Sequence, residues 1–145
     1  MRRVLTVILL MCTLSFSETE FAKPKPSMEH PRKIIFPITK WDKDEVNHIL
    51  SSANNIIKFY GVDNIELVIV AYSQGIKTLL KDKDKNIRKR VESLMNYDVE
   101  FIACGNTMKT LKIDKKELLD GVEIVTAGIV ELTERQLRGY IYILP

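Results

Sequence analysis

The stretch that predicts the fold most directly is VEFIACGNTMK, residues 99–109. An apolar run ends there in a cysteine, a glycine and two small polar residues, which is typical of a buried strand that leads into a helix. If residues 99–103 form a strand of an open α/β sheet, Cys104 lies at the carboxyl edge of that sheet, where such proteins bind ligands. Gly105 follows, and glycine allows the sharp bend that the chain needs between strand and helix.

Cys104 is therefore the candidate functional residue. The first amides of the helix would point back toward its sulfur, and the positive end of the helix dipole favours a thiolate over a thiol. We expect a lowered pKa, which is the usual route to a nucleophilic or sulfur-carrying cysteine. Asn106 and Thr107 are candidate hydrogen-bond donors to a thiolate or persulfide, although both residue types are equally typical of helix caps and surfaces.

Four further apolar runs resemble strands, and amphipathic segments separate them. The strand predictions are residues 33–38, 65–71, 99–103, 122–126 and 140–144. Asp42 and Glu45 have the spacing of a capping box before a helical pattern that stops at Gly61, and Asp114 and Glu117 repeat the spacing. Pro37 cannot donate to a ladder, so we expect it near the exit of its strand or at a bulge. The pattern predicts a single three-layer α/β domain with a five-stranded, mainly parallel sheet.

The loop after the second predicted strand contains Tyr72, Ser73, Gln74 and Gly75. With Ala71 it resembles the nucleophile elbow of a serine hydrolase, and a strand before it and a helix after it fit that motif. The elbow's triad needs a histidine later in the chain, however, and both histidines, at positions 30 and 48, precede Ser73. We reject the hydrolase interpretation and predict that these four residues form a second wall of a pocket over the carboxyl edge.

The apolar strand followed by Ala-Cys-Gly-Asn-Thr-Met resembles the cysteine motif of the DsrE/DsrF-like family of small sulfur-relay proteins. The resemblance extends over residues 33–145, through the strand at 65–71 to the closing segments at 127–132 and 139–145. It implies the family's α/β fold, a persulfide carried on Cys104, a sulfur donor or acceptor as partner, and assembly as a trimer or as a hexamer made of two trimers. The apolar segment 140–144 adds a physical reason for assembly, because an apolar strand at a sheet edge tends to pair.

The amino terminus has the features of a signal peptide. Arg2 and Arg3 precede an apolar core of residues 4–14, which is too short to span a bilayer, and small residues at 15 and 17 suit a cleavage site. An uncleaved anchor is the alternative. We predict a signal peptide at 1–17, a proline-containing extended linker at 18–32, and a periplasmic mature protein without stable membrane insertion. Cys12 belongs to the removed segment.

Composition excludes several classes of function. Removal of both leader arginines lowers the formal net charge from +3 to +1, which implies no nucleic-acid partner. No phosphate-binding glycine loop and no paired cysteines or histidines at metal spacing occur, so we predict neither cofactor nor metal. Two hypotheses remain: a sulfur carrier without turnover of its own, or a non-catalytic binding and assembly module in which Cys104 is packed and inert.

Overall fold

A parallel sheet of five strands forms the centre of the computed structural model, which describes residues 19–145. The predicted signal peptide, residues 1–17, lies outside the described residues. The strands run in the order β4-β3-β2-β1-β5, and each pairs in parallel with its neighbours. Their bounds are β1 Arg32–Ile38, β2 Ile65–Ala71, β3 Glu100–Cys104, β4 Glu123–Val125 and β5 Ile141–Tyr142. The prediction of a five-stranded α/β domain is confirmed.

Helices connect the strands and cover the two faces of the sheet. The α-helices are α1 Lys43–Tyr60, α2 Lys85–Met95, α3 Gly105–Leu111 and α4 Gly128–Leu137, and 3-10 helices occupy Val62–Asn64, Ser73–Leu79 and Lys115–Glu117. Asp42 caps α1 by accepting from the amides of Asp44 and Glu45 at 3.0 and 2.9 Å. The predicted capping box of Asp114 and Glu117 is present on the last 3-10 helix. No helix within residues 19–145 is long and apolar enough to cross a bilayer.

The direction of the crossovers decides which face each helix covers. From β1 to β4 the chain moves steadily across the sheet, and then it returns past β1 to add β5 at the opposite edge. Because parallel crossovers are right-handed, reversing the direction of travel moves the connecting helix to the other face. Side chains on one face of the strands, among them Phe36 and Ile69, pack with residues of α1 and α2. Alternate side chains, among them Ile35 and Val70, pack with Leu132 of α4.

Pro37 explains why β5 is shorter than the predicted strand at 140–144. Pro37 is the last residue but one of β1, near the exit of the strand as predicted. The carbonyl of Ile35 accepts from the amide of Ile143 at 3.0 Å. The backbone groups of Ile35, and those of Pro37 two residues later, therefore point toward β5. The next bond of that ladder would need an N–H from residue 37, which proline lacks. The pairing therefore ends after Ile141 and Tyr142.

Residues 19–31 of the predicted linker lie against the domain without regular secondary structure, whereas Arg32, its last predicted residue, already belongs to β1. The ring of Phe21 packs on Phe59 and Tyr60 at the end of α1, with ring centroids 5.4 and 5.9 Å apart. The guanidinium of Arg32 donates to the carbonyls of Ala22 and Pro24 at 2.6 and 2.9 Å. These contacts fix the path of the chain as it enters β1.

Candidate functional site

The candidate site lies at the carboxyl edge of the sheet, where β1, β2 and β3 end side by side. Cys104 is the last residue of β3 and the N-cap residue of α3, with the extended backbone angles φ −78° and ψ 114°. β3 is one residue longer at this end than predicted, so the thiol is held by the sheet itself. Gly105 allows α3 to start close to β4, since a Cβ there would lie 2.9 Å from the carbonyl oxygen of Val125.

The loop after β2, residues 72–75, is pinned to the end of β1. The amide of Tyr72 donates to the carbonyl of Ile38, and that of Gly75 donates to Thr39, both at 3.0 Å. A Cβ on Gly75 would lie 2.1 Å from the carbonyl oxygen of Ile38, so only glycine fits this approach. The 3-10 helix begins at Ser73 and therefore includes residues of the loop itself. Ser73 itself adopts a left-handed backbone with φ 51°.

A hydrogen bond joins this loop to the cysteine turn. The amide of Ser73 donates to the hydroxyl oxygen of Thr107 at 3.1 Å, across 34 positions of sequence. Thr107 lies in the first turn of α3, three residues after Cys104. The two segments that the sequence singled out independently are therefore in contact.

A third element, the start of α4, reaches the thiol and was missed by the sequence reasoning. Gly128 is the first residue of α4 and is buried. A Cβ built on it would lie 3.2 Å from the Cβ of Cys104 and 3.3 Å from that of Tyr72. A side chain at position 128 would be tightly packed there, so the close approach favours glycine. The only signal in the sequence is a glycine directly after a strand, which does not indicate its neighbour.

Hydrogen bonds affect the pKa of the Cys104 thiol more strongly than its burial does. Cys104 is only 6% exposed. Burial raises the pKa of its thiol. Hydrogen bonding from the Thr107 hydroxyl and from the amides of Gly128, Thr107 and Asn106 lowers the pKa by a larger amount, so the net pKa is below the ordinary value. The expected lowering therefore arises from two helix starts rather than from α3 alone.

A cleft of about 350 Å³ opens between the 72–75 loop and α3. The residues that line it come from both predicted walls and from the next turn of α3: Tyr72, Ser73, Gln74, Asn106, Thr107, Thr110 and Leu111. Five of the seven predicted binding residues thus share one cavity. The other two, Gly75 and Gly105, shape the backbone beneath it. Cys104 itself does not line this cleft.

Tyr72 links the cleft to the opposite face of the sheet. Its side chain is half-buried against the residues that pack under α4. Burial and the neighbouring Tyr142 raise the pKa of the Tyr72 phenol, so the group stays neutral at physiological pH. Tyr72 therefore contributes a neutral, amphipathic side chain rather than a charge.

Alternative chemistries find little support at this edge. His30 and His48 are exposed, one before β1 and the other on α1, and Ser73 has neither as a hydrogen-bond partner. Among residues 19–145, no three His, Cys, Asp or Glu side chains are grouped to hold a metal ion. Cys104 is the free cysteine of the described part of the chain.

A charged network at the amino end of the sheet fixes the position of α4. Arg135 of α4 pairs with Glu100 at the start of β3, donates to Glu131 at 2.6 Å and donates to the Tyr140 hydroxyl at 3.1 Å. The Tyr140 hydroxyl donates to Glu66 of β2 at 2.6 Å. This network was not predicted, because its members come from three distant segments. It holds α4 across the strands and so places Gly128 over Cys104.

Together these features define a small α/β protein with one hydrogen-bonded cysteine at the carboxyl edge of a parallel sheet. Residues 33–145 match the DsrE/DsrF-like family, and the chain belongs to that family. The resemblance seen in the sequence is thereby confirmed.

Two solved structures share the fold. The chain is 30% identical to MTH1491 of Methanobacterium thermoautotrophicum, a protein of unknown function, with a TM-score of 0.74 over 79% of this chain and 99% of that one. It is 23% identical to the ychN protein of E. coli, with a TM-score of 0.66 over 78% of this chain and 97% of that one, a likeness that concerns the fold alone. None of the curated proteins compared with the chain matches it.

Proposed function

We propose that the protein is an exported sulfur carrier that holds sulfane sulfur as a persulfide on Cys104. The observation that carries this proposal is that the starts of α3 and α4 meet at one thiol, where their hydrogen-bond donors lower its pKa. The same donors that favour a thiolate also favour a persulfide anion, whose negative charge lies near the same position. Membership of the DsrE/DsrF-like family supports a sulfur-relay type of protein.

The loading step needs no oxidant. The Cys104 thiolate attacks the outer sulfur of a donor persulfide, R–S–SH, and forms a new S–S bond to it. The donor's own S–S bond breaks, and its electron pair leaves on the donor sulfur. The proton of the transferred sulfur then passes to that thiolate, which gives R–SH and a persulfide anion on Cys104. Unloading to an acceptor thiolate is the reverse exchange, so the protein acts as a carrier and not as a turnover enzyme.

The cleft beside Thr107 is the proposed approach route for the donor. Its polar lining consists of hydroxyl and amide side chains, which suits a neutral or weakly charged sulfur compound or the thiol-bearing loop of a partner protein. Cys104 is 6% exposed, so loading requires a small movement of the groups that cover it. Gly128 is one of these covering groups, and it also lies against the Cβ of Tyr72.

The low exposure of Cys104 also favours a second candidate function. A thiol with so little contact with solvent fits a binding and assembly module in which the cysteine only fills space. The two candidates differ in one property, the reactivity of the native thiol.

The pH dependence of Cys104 alkylation in the folded protein tests the proposal. A carrier reacts as a thiolate below the ordinary midpoint of about 8.5 and gains one sulfur atom in the mass spectrum after exposure to polysulfide. The Cys104→Ser variant is the control, since it reports labelling at any other site. Alkylation only after unfolding, with no gain of sulfur, would refute the carrier and favour the packed module.

Export is the second part of the proposal. Arg2, Arg3 and the apolar residues 4–14 motivate it, and the mature chain would begin near Glu18. Fractionation of cells followed by amino-terminal sequencing tests it. Finding residues 1–17 intact on membrane-bound protein would support the anchor and contradict export.

Self-assembly, as a trimer or as a hexamer of two trimers, is the third part. Five exposed aliphatic side chains on α4 and at the β5 edge support it: Ile129, Val130, Leu137, Ile141 and Leu144. β5 also lies at the edge of the sheet, where its outer backbone groups can pair with another chain. Light scattering decides the matter, because a monomer mass at every concentration would refute assembly.

A further inference from the structure

We propose that the groove between α1 and α2 is a binding site for an oxoanion group such as phosphate or sulfate. The groove measures about 320 Å³ and is lined by Leu50, Asn54, Lys89, Arg90, Ser93 and Leu94. It shares no lining residue with the cleft between the 72–75 loop and α3. The proposal therefore goes beyond the sulfur-carrier function and does not depend on it.

Arg90 is the residue that carries the proposal. It is half-buried, and its guanidinium donates to the side-chain oxygens of Asn47 and Ser51 on α1, the latter at 2.8 Å. Both acceptors are neutral, and no carboxylate within residues 19–145 forms an ion pair with Arg90. A charged group that is partly removed from water normally has an opposite charge beside it. A bound anion would supply the charge that the neighbours of Arg90 do not.

Other arginines in or next to the helices have acidic partners. Each of them forms an ion pair with at least one glutamate: Arg88 with Glu92, Arg135 with Glu100 and Glu131, and Arg138 with Glu131. Arg90 follows Arg88 by two positions on the same helix, yet its contacts are all to neutral groups of α1. The missing counter-charge is thus a local property of the groove.

The two bonds to α1 also hold the Arg90 guanidinium in place. This group carries five N–H donors in one plane, and one donor on each terminal nitrogen is used for α1, so the other three are left for a ligand. A planar fork of donors matches the oxygens of a phosphate or sulfate group. Because the side chain is already ordered, less conformational entropy is lost when an anion binds.

The rest of the groove adds donors and a second positive charge. Asn54 contributes an amide, Ser93 a hydroxyl and Lys89 an exposed ammonium group. On α1 no acidic residue follows Glu45, and the one glutamate of α2 pairs with Arg88. A groove that is lined by charges of one sign concentrates the field and attracts the opposite ion.

A second lysine-rich cavity shows why positive charge alone does not make such a site. This cavity of about 510 Å³ contains Lys81, Lys115 and Lys116, but Asp114 and Asp120 line it as well. Lys81 pairs with Asp120 at 2.9 Å, and Lys116 pairs with Asp114 at 3.9 Å. Because carboxylates already occupy its lysines, we expect no anion there. Its third lysine, at position 115, provides a charge-matched control.

An NMR titration of the purified, ¹⁵N-labelled protein with sodium phosphate and with sodium sulfate tests the proposal. Sodium chloride keeps the ionic strength constant, and the backbone amide signals of Asn54, Lys89 and Ser93 should shift and saturate. We expect Arg90→Gln to weaken binding by about tenfold, and Lys89→Gln by about threefold. Arg90→Lys keeps the charge without the fork and should weaken binding by about threefold. Lys115→Gln removes the same charge elsewhere and should stay within about twofold of the native affinity.

Cosedimentation with phosphatidylglycerol vesicles distinguishes the source of the anion. Saturable binding of the free anions that depends on Arg90 identifies a small-anion site, and vesicle binding that Arg90→Gln abolishes, without binding of the free anions, identifies a lipid phosphate. The inference would be overturned by an absence of binding in both arms, by shifts that do not saturate, or by an equal loss in Lys115→Gln. If Arg90→Gln folds poorly, the comparison of Lys89→Gln with Lys115→Gln decides the matter, since both residues are exposed lysines.

Discussion

The two faces of the sheet differ in how completely they are covered. On one face α1 and α2 enclose a continuous core that includes Phe36, Ile49 and Phe101, each no more than 1% exposed. On the other face, within residues 19–145, α4 alone crosses the strands, and it covers a small cluster around Ile35, Val70 and Leu132. Apolar residues of α4 remain in solvent beside that cluster, with Leu137 77% exposed.

This difference indicates that the two faces have different roles. The face under α1 and α2 supplies most of the buried apolar surface and so most of the stability. The face under α4 is thinner, and it carries the helix whose first residue covers Cys104. A site that must open for a reactant is expected on the less stable side, because local opening costs less there.

The largest expected effect on stability comes from a cavity on the face of the sheet under α1 and α2. Replacing Phe36 with alanine should lower the free energy of unfolding by about 3–5 kcal/mol, since its ring is fully buried under α1. Urea denaturation measures the loss. Ile129→Ala on α4 is the control truncation of an aliphatic residue, and because Ile129 is 61% exposed it should cost less than about 0.5 kcal/mol in the monomer. Similar losses in the two variants would contradict the comparison.

A smaller effect on stability is expected at the carboxyl edge of the sheet, where the 72–75 loop contacts the end of β1. Gly75→Ala places a methyl group against the Ile38 carbonyl and should cost about 3 kcal/mol, because the backbone of both segments must shift. Gly139→Ala is the control. Its φ of +90° strains an alanine, but nothing lies within 4 Å, so about 1 kcal/mol is expected. An equal cost would show that backbone angle, not close approach, selects these glycines.

The charged network under α4 should contribute less to stability than Phe36 or Gly75 does. Arg135→Met leaves Glu100 and Glu131 without their half-buried partner and should cost about 1–2 kcal/mol after allowance for solvent screening. Lys40→Met breaks an exposed pair with Glu45 at 3.9 Å and should change stability by less than about 0.5 kcal/mol. Equal denaturation midpoints for the two variants would remove the network as the anchor of α4.

The smallest effect is a pH dependence that arises from Cys104. Hydrogen bonds lower the thiol's pKa in the folded protein despite its burial. The ionised thiol therefore adds stability that is fully present above the unfolded pKa of about 8.5 and is lost as the pH falls through the lower folded pKa. The stability of the native protein relative to Cys104→Ala should rise with pH across that window. Denaturation at a series of pH values under reducing conditions measures it, and a flat difference would argue against a stabilised thiolate.

Local sequence was sufficient for much of the fold. Strand β2 was predicted with its observed bounds, because a continuous apolar run flanked by polar residues leaves little choice for a strand buried on both faces. Asp42 and Gly61 marked the ends of α1 by their side-chain chemistry and backbone freedom. Cys104 was placed at the carboxyl edge for the same reason, since an apolar strand, a glycine and small polar residues follow one another along the chain.

Contacts between distant segments needed the tertiary structure. The bond from Ser73 to Thr107, the approach of Gly128 to Cys104 and the pairing of Arg135 with Glu100 join residues that no local pattern relates. Pro37 shortened β5 because a missing donor in one strand acts on its neighbour in space. Periodicity and local chemistry along the chain are enough to predict the helices and strands and to identify the thiol. The residues that surround this thiol depend on the fold, because parallel crossovers bring together loop ends that lie tens of residues apart in the sequence.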